Sequence, residues 1–267
     1  MTCSNLYKMD FTLRSRIKSR GESTMKFCIT FIYLQKITIG LLVLIYLSCE
    51  IQAEAPEDEP GTYRDLTEAL QNSLDVRILI LSEQKLTTLP KKIEQLKNLQ
   101  MLDLCYNQFK TVPKKIGQLK NLQVLNLSSN QLTTLPKEIG KLENLQRLNL
   151  SSNQLTTLPK EIGKLENLQV LNLGSNRLKT LPKGIEQLKN LQTLYLNYNQ
   201  LTTLPCEIGR LQSLTELHLQ HNQIATLPDE IIQLQNLRKL TLYENPIPPQ
   251  ELDKIRKLLP KCQVYFK

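Results

Sequence analysis

The two histidines of the chain, His218 and His221, lie three residues apart and close to the carboxylate of Glu216. Zinc accepts imidazole and carboxylate ligands, so one interpretation is a metal site completed by Glu216 or Glu244. The spacing matches no zinc motif, however, and neither histidine is accompanied by the nucleophile and orienting acid that nucleophilic catalysis requires. We therefore predict no metal, no cofactor, no small-molecule substrate and no enzymatic activity.

Aromatic side chains accompany the histidine pair. Tyr195 and Tyr198 each precede one histidine by 23 residues, and Tyr243 follows in the next stretch. Tyrosine and arginine are enriched among residues that dominate protein interfaces, because they add contact area with few torsions to immobilise. The alternative is that the rings stack only to stabilise a sheet. We predict a protein-binding surface made of Tyr195, Tyr198, Glu216, His218, His221, Arg238, Lys239 and Tyr243.

A repeat positions these side chains, and it is visible as a leucine that returns every 23 residues. A fixed period of this length is typical of a solenoid of stacked units. A further copy begins upstream at Val76, where Gln84 replaces the asparagine of the other copies. We count eight copies, the last incomplete, and the leucines that mark seven of them are Leu99, Leu122, Leu145, Leu168, Leu191, Leu214 and Leu237.

Each copy predicts one strand and one crossover. The segment Leu-x-x-Leu-x-Leu alternates apolar and polar residues, which favours a short strand with one face in a core. Stacked copies form a parallel sheet, and the crossover buries residues such as Leu158, Ile162 and Leu165. A proline in every crossover excludes a central strand there, so we expect extended or 3₁₀ turns on the convex side. These prolines are Pro90, Pro113, Pro136, Pro159, Pro182, Pro205 and Pro228.

A ladder of asparagines follows the strands. An amide side chain can satisfy inward-pointing backbone groups where the chain turns off a strand, and each such bond contributes roughly 0.5–1.5 kcal/mol. We predict this structural role for Asn107, Asn130, Asn153, Asn176, Asn199, Asn222 and Asn245.

From Val76 to Asn245 the chain resembles the leucine-rich-repeat family, specifically its 23-residue bacterial type, L-x-x-L-x-L-x-x-N-x-L-x-x-L-P-x-x-I-x-x-L-x-x. It is similar to secreted or surface repeat proteins of spirochaetes. The resemblance implies an α/β horseshoe with a parallel concave sheet, convex 3₁₀ or extended turns, short helices and helical caps. It also implies that the concave sheet binds a ligand, usually a protein, and host adhesion is one recurring use.

The flanks of the repeats predict two caps. Asp65 precedes a short helical pattern, which would form a polar lid over the first repeat. After Pro248 and Pro249, the apolar residues of 250–259 share one helical face, and residues 264–266 suit a closing strand. The predicted parts are an upstream extension (1–24), a signal peptide (25–55), an N-terminal cap (56–75), the repeats (76–245) and a C-terminal cap (246–267).

The signal peptide is predicted from an apolar run at residues 37–48, which is shorter than the roughly 20 residues of a membrane span. Ala53-Glu54-Ala55 then offers a cleavage site. Two alternatives are an uncleaved anchor over residues 27–48 and a lipoprotein signal with an acylated Cys49. Met25 is a suitable start for the signal, and a long charged region beginning at Met1 is the alternative.

Charge and cysteine content narrow the class of protein. The net charge is +9, but lysine alternates with glutamate in the crossovers, as at Lys137-Glu138, which is typical of a solvated face. Nucleic-acid binding would need a basic stripe on one surface, so we exclude it. Three of the six cysteines lie in the targeting segment, and Cys105 and Cys206 are separated by about 20 Å at strand spacing, too far for a disulfide.

These observations predict a secreted or cell-surface monomer that binds a protein, such as a host surface protein, through its concave sheet. Contact with a membrane would come only through the signal peptide or a lipid on Cys49. One alternative is a surface-anchored structural, spacer or self-association protein. The other is an intracellular signalling scaffold.

Overall fold

Ten parallel strands form one open sheet in residues 60–266, the part of the chain that this computed structural model describes. Their spatial order is their order in the sequence, and the predicted signal peptide, Cys49 and residues 1–24 lie outside the described residues. The strands are β1 (Thr62–Tyr63), β2 (Ile78–Ile80), β3 (Met101–Asp103), β4 (Val124–Asn126), β5 (Arg147–Asn149), β6 (Val170–Asn172), β7 (Thr193–Tyr195), β8 (Glu216–His218), β9 (Lys239–Thr241) and β10 (Gln263–Tyr265).

The register of the sheet follows the 23-residue period. Met101 of β3 pairs with Val124 of β4, which pairs with Arg147 of β5, so equivalent positions form straight rows across the sheet. The central leucine of each strand from β2 to β9 points inward; Leu148 of β5 is fully buried, and so is Leu150 just after that strand. The outward residues of β2–β9 therefore make the concave surface, as the repeat pattern predicts.

A 3₁₀ helix occupies each crossover from β2 to β9, which confirms the prediction of 3₁₀ turns. Each one begins directly after a ladder proline, because proline holds the extended φ that leads into the turn, as Pro90 does with φ −66°. The isoleucine in the middle of each 3₁₀ helix is buried, for example Ile162. The helices are Lys91–Gln95, Lys114–Gln118, Lys137–Lys141, Lys160–Lys164, Lys183–Gln187, Cys206–Arg210 and Asp229–Gln233.

The asparagine ladder ties neighbouring repeats together through backbone groups. The Nδ2 of Asn176 donates to the carbonyl oxygens of Leu150, Leu173 and Gly174 at 2.9, 3.1 and 3.2 Å. Its Oδ1 accepts from the Leu155 amide at 3.0 Å. Because Asn176 is only 8% exposed, losing the side chain would leave several backbone groups without partners away from water.

A second asparagine ladder lies just before the strands, and the sequence analysis missed it. The Nδ2 of Asn167 donates to the carbonyl oxygen of Glu143 in the preceding repeat at 2.8 Å. The same bond recurs one repeat apart, and the 23-residue spacing of these residues was the signal that could have revealed it. The donors are Asn98, Asn121, Asn144, Asn167, Asn190 and Asn236.

Helical caps cover both ends of the described solenoid, as predicted. The first, α1 (Leu66–Gln71), begins at Asp65, whose Oδ1 accepts from the Glu68 amide at 2.8 Å. The second, α2 (Pro249–Leu258), buries Ile255 and leads into β10. The structure adds an unpredicted strand, β1, beside β2. Within residues 60–266 no helix is long and apolar enough to cross a membrane.

Candidate functional site

The predicted aromatic and histidine residues fall into two rows on the last three repeats. One row lies on strands β7–β9 at positions that pair in register, and the other lies in the turns that follow these strands. We call Tyr195, His218 and Thr241 the strand row, and Tyr198, His221 and Tyr243 the turn row. Neighbouring parallel strands lie about 4.8 Å apart, so side chains within a row contact each other.

The strand row is closely packed and largely closed to solvent. The rings of Tyr195 and His218 stack with centroids 4.6 Å apart and planes 15° apart. His218 and Thr241 are each only 6% exposed, although the sequence analysis placed His218 on a binding surface. Burial raises the pKa of Tyr195, and the charge of Glu216 adds to this rise. The strand row therefore stiffens the sheet more than it presents contact area.

The turn row carries the accessible aromatic surface. Tyr198 stacks on His221 with ring centroids 4.1 Å apart and planes 11° apart. His221 meets Tyr243 edge to face, with centroids 5.4 Å apart and planes 85° apart. Stacked and edge-to-face pairs are the arrangements that the aromatic quadrupole favours. Because Tyr198 is 50% exposed, this stack holds one ring in a fixed orientation towards solvent.

The backbone under the turn row is the same as in the other repeats. Tyr198 and His221 have left-handed φ values of 54° and 55°, which non-glycine residues adopt uncommonly. The equivalent residues of the middle repeats share this conformation, and they are Ser129, Ser152 and Ser175. Since the turn accepts serine equally well, the backbone does not require the aromatic rings.

A chain of polar contacts crosses the strand row. The Nε2 of His218 lies 3.0 Å from Glu216 Oε2, and its Nδ1 lies 3.3 Å from Thr241 Oγ1. The Thr241 hydroxyl donates its one proton to Gln220 Oε1. Burial lowers the pKa of His218, and the positive charge of Lys239 adds to this effect, whereas the hydrogen bond to Glu216 opposes it. A neutral imidazole is therefore favoured, with Glu216 as the acceptor for an Nε2 proton.

An acid, a histidine and a hydroxyl in contact are also the parts of a nucleophilic triad, but this arrangement does not suit that chemistry. The Thr241 hydroxyl donates to Gln220, and its burial leaves no room for a reacting carbonyl group. Residues 60–266 also contain no group of three or more His, Cys, Asp or Glu placed to hold a metal ion. The arrangement can pack a surface and present it to a partner.

The sequence analysis missed Thr241 and Gln220, because neither belongs to an aromatic or charged pattern. Their role depends on the strand register, which places Thr241 beside His218 across β8 and β9. The sequence does show that His218 and Thr241 are 23 residues apart, and this spacing predicts that they are neighbours on adjacent strands.

Charges of both signs flank the two rows. Glu216 and Lys239 are register partners on β8 and β9, and both are partly exposed. Arg238 and Glu244 are exposed on either side of β9. A surface with mixed charge and aromatic area suits a folded protein partner better than a polyanion.

The architecture defines the class of protein, a repeat solenoid with a concave parallel sheet. Leucine-rich-repeat family models match the chain over residues 61–153, 143–201 and 210–226. A comparison with curated proteins finds no match. The chain belongs to the leucine-rich-repeat family, whose domains are generally protein-interaction modules and are typically not catalytic.

Solved structures with leucine-rich repeats resemble this chain. The leucine-rich-repeat domain of the type III effector XopL is 27% identical, with 77% of this chain and 72% of that chain covered and a TM-score of 0.67. Internalin C2 of Listeria monocytogenes is 27% identical, with 74% and 84% covered and a TM-score of 0.64. A leucine-rich-repeat protein of Leptospira interrogans is 31% identical, with 77% and 99% covered and a TM-score of 0.30.

Proposed function

We propose that this chain is an exported, non-enzymatic module that binds a protein on the C-terminal part of its concave sheet. The observation that carries the proposal is the accessible turn row. Tyr198 and His221 stand on a backbone that holds serine in the middle repeats, and Tyr243 packs edge to face against His221. The fold does not need these rings, so recognition is the best explanation for their presence.

The stacking of the turn row also favours binding energetically. A partner that covers Tyr198 gains a large, half-exposed aromatic area. His221 already fixes the orientation of that ring, so little side-chain entropy remains to be lost on association. The nearby Arg238, Lys239 and Glu216 supply polar contacts around the rings.

Photo-crosslinking followed by affinity measurement tests this function. A photoreactive amino acid at position 220, which lies beside both rows, should form a crosslink to the partner. The same amino acid at position 141, on the convex side, should form none. With the purified partner, Tyr198→Ala or Tyr243→Ala should each raise Kd about thirtyfold, the effect of a hot spot worth about 2 kcal/mol. Ser152→Ala is the matched control, because Ser152 is the exposed equivalent of Tyr198.

Several outcomes would decide between this function and its alternatives. A partner whose affinity survives both tyrosine substitutions would contradict the proposed surface. Capture of a second copy of this chain alone would favour the self-association alternative. His218 is left out of this binding test because it is buried between Tyr195 and Thr241.

The export part of the proposal rests on residues 25–55, which lie outside the described residues. We expect mass spectrometry of the cell supernatant to find a mature N-terminus between residues 50 and 56. Intact Met1 or Met25 on the soluble protein would contradict cleavage and favour an intracellular scaffold. An acylated Cys49 would favour a lipid-anchored surface protein.

A further inference from the structure

Arg147 on β5 carries a partly exposed guanidinium that has no acceptor among the described residues. Its Nη1 atom is buried and has no hydrogen-bond partner among the described residues. Burial also lowers the pKa of this guanidinium. A buried donor without a partner destabilises a protein, so its presence on a regular sheet needs an explanation.

The neighbours of Arg147 are apolar or neutral. The register places Val124 of β4 on one side and Val170 of β6 on the other. The other outward residues of these three strands and the residue just before each strand carry no charge, and they are Gln123, Asn126, Gln146, Asn149, Gln169 and Asn172. Arg147 therefore provides the only charge on this part of the concave surface within the described residues.

The side-chain oxygens of the asparagines on β4 and β5 are already used by the turns. Asn149 Oδ1 accepts from the Ser151 amide at 3.1 Å and from its hydroxyl at 2.9 Å. Asn126 Oδ1 accepts from the amide and hydroxyl of Ser128 in the same way. These bonds orient the asparagines towards their own turns, so the guanidinium lacks an intrinsic acceptor.

We propose that Arg147 is a subsite for the side-chain carboxylate of an aspartate or glutamate on a protein partner. The repeat places valine at this position in both neighbouring strands, so the scaffold does not require arginine. The accessible edge of a guanidinium pairs with a carboxylate through two parallel hydrogen bonds, and Arg147 is partly exposed although its Nη1 is buried. Apolar flanks strengthen such a pair by lowering the local dielectric constant. The protein nature of the occupant rests on the proposed function, but the subsite lies two strands away from β7.

A titration of the full chain with glutamate capped at both termini tests the subsite directly, because it requires no partner. We expect a saturable shift of the Arg147 side-chain nitrogen resonances in NMR spectra with capped glutamate and none with capped glutamine. Arg177, which is exposed outside the concave surface, provides the internal reference. Equal shifts at Arg177, or no shift at Arg147, would overturn the proposal and leave the turn row as a binding surface unaffected.

Replacing Arg147 by the residue of its neighbours gives a second, independent readout. Arg147→Val should raise Tm by about 2–4 °C, because it removes a buried donor without an acceptor. It should also weaken capped-glutamate binding by at least about tenfold. Arg177→Val should change neither quantity. A lower Tm for Arg147→Val would show that the arginine supports the fold and would overturn the proposal.

Discussion

The middle repeats, which contain β4–β6, and the C-terminal repeats, which contain β7–β9, share one scaffold and differ in their concave surface. Leu148 and Leu217 occupy the same inward position and are both fully buried. The ladder residues Asn153 and Asn222 each donate to three backbone carbonyls. In this repeat, the residues that hold the fold are therefore different from the residues that are free to acquire a function.

The two regions also satisfy their concave polar groups differently. In the middle repeats, Asn149 accepts hydrogen bonds from Ser151 two residues away. These hydrogen bonds therefore stay within one repeat. In the C-terminal repeats, His218 contacts Thr241 on the next strand and stacks on Tyr195 of the previous one. Contacts across strands couple three repeats, so the C-terminal surface should respond to substitution as one unit.

The largest expected effect tests the shared scaffold. Leu150→Asp and Leu219→Asp each place an unpaired carboxylate in a fully buried site, one in each region. A buried charge without a partner costs several kcal/mol, so both variants should lose about the same stability in urea denaturation. Lys141→Glu is the control, because Lys141 is exposed on a 3₁₀ helix and its change should have almost no effect.

A clear difference in stability loss between the two leucine variants would contradict a shared scaffold, since it would show that the regions have unequal cores. Equal losses in Leu150→Asp and Lys141→Glu would instead contradict the assignment of inward and outward faces.

Removing one asparagine from the ladder should have the next largest effect. Asn153→Ala and Asn222→Ala each remove three donated bonds, and each leaves one backbone amide, of Leu132 or Leu201, without its acceptor. Leaving buried backbone groups unpaired costs roughly 1–3 kcal/mol. Denaturation midpoints should fall similarly in the two regions. Ser152→Ala, next to Asn153 but exposed, should leave the midpoint nearly unchanged.

The scaffold could be predicted from the sequence because every part of it repeats. The leucine, proline and asparagine periods each recur in nearly every copy, so strands, 3₁₀ turns and the first asparagine ladder follow from local physical rules. The second ladder, which includes Asn167, obeys the same spacing and was equally open to prediction. The strand β1 was not, because Thr62 and Tyr63 form it only by pairing with β2 and lie outside any repeat.

The candidate site was harder to predict because exposure depends on neighbours. His218 and His221 are the same residue type on the same repeat, yet His218 is buried between Tyr195 and Thr241 while His221 is partly exposed. The unpartnered nitrogen of Arg147 is likewise invisible in a sequence, since it follows from the side chains on both adjacent strands.

A double-mutant cycle on the turn row measures how strongly its stacked rings stabilise the C-terminal surface. The free energy of unfolding is measured for Tyr198→Ala, His221→Ala and the double variant. We expect a coupling energy of about 0.5–1.5 kcal/mol between the two side chains, the value typical of stacked aromatic pairs. The matched cycle on Ser152 and Ser175, which occupy the same positions in two middle repeats, should give a coupling near zero. Equal couplings in both cycles would show that the stack adds nothing beyond the serines.

The smallest expected effect is a pH dependence that belongs to the C-terminal region alone. Burial lowers the pKa of His218 in the folded state, so the unfolded chain binds its proton more readily, with a pKa near 6.5. Stability is therefore complete above about pH 6.5 and decreases as the pH falls towards the lower folded pKa. Glu216 opposes this decrease and Lys239 reinforces it. Urea midpoints measured from about pH 5 to pH 8 should decrease towards low pH. In His218→Gln the midpoints should depend less on pH, because the buried leucines and the asparagine ladder are unchanged and only the titrating group is removed. A slope that is unchanged in His218→Gln would assign the pH dependence to other groups and remove this distinction between the two regions.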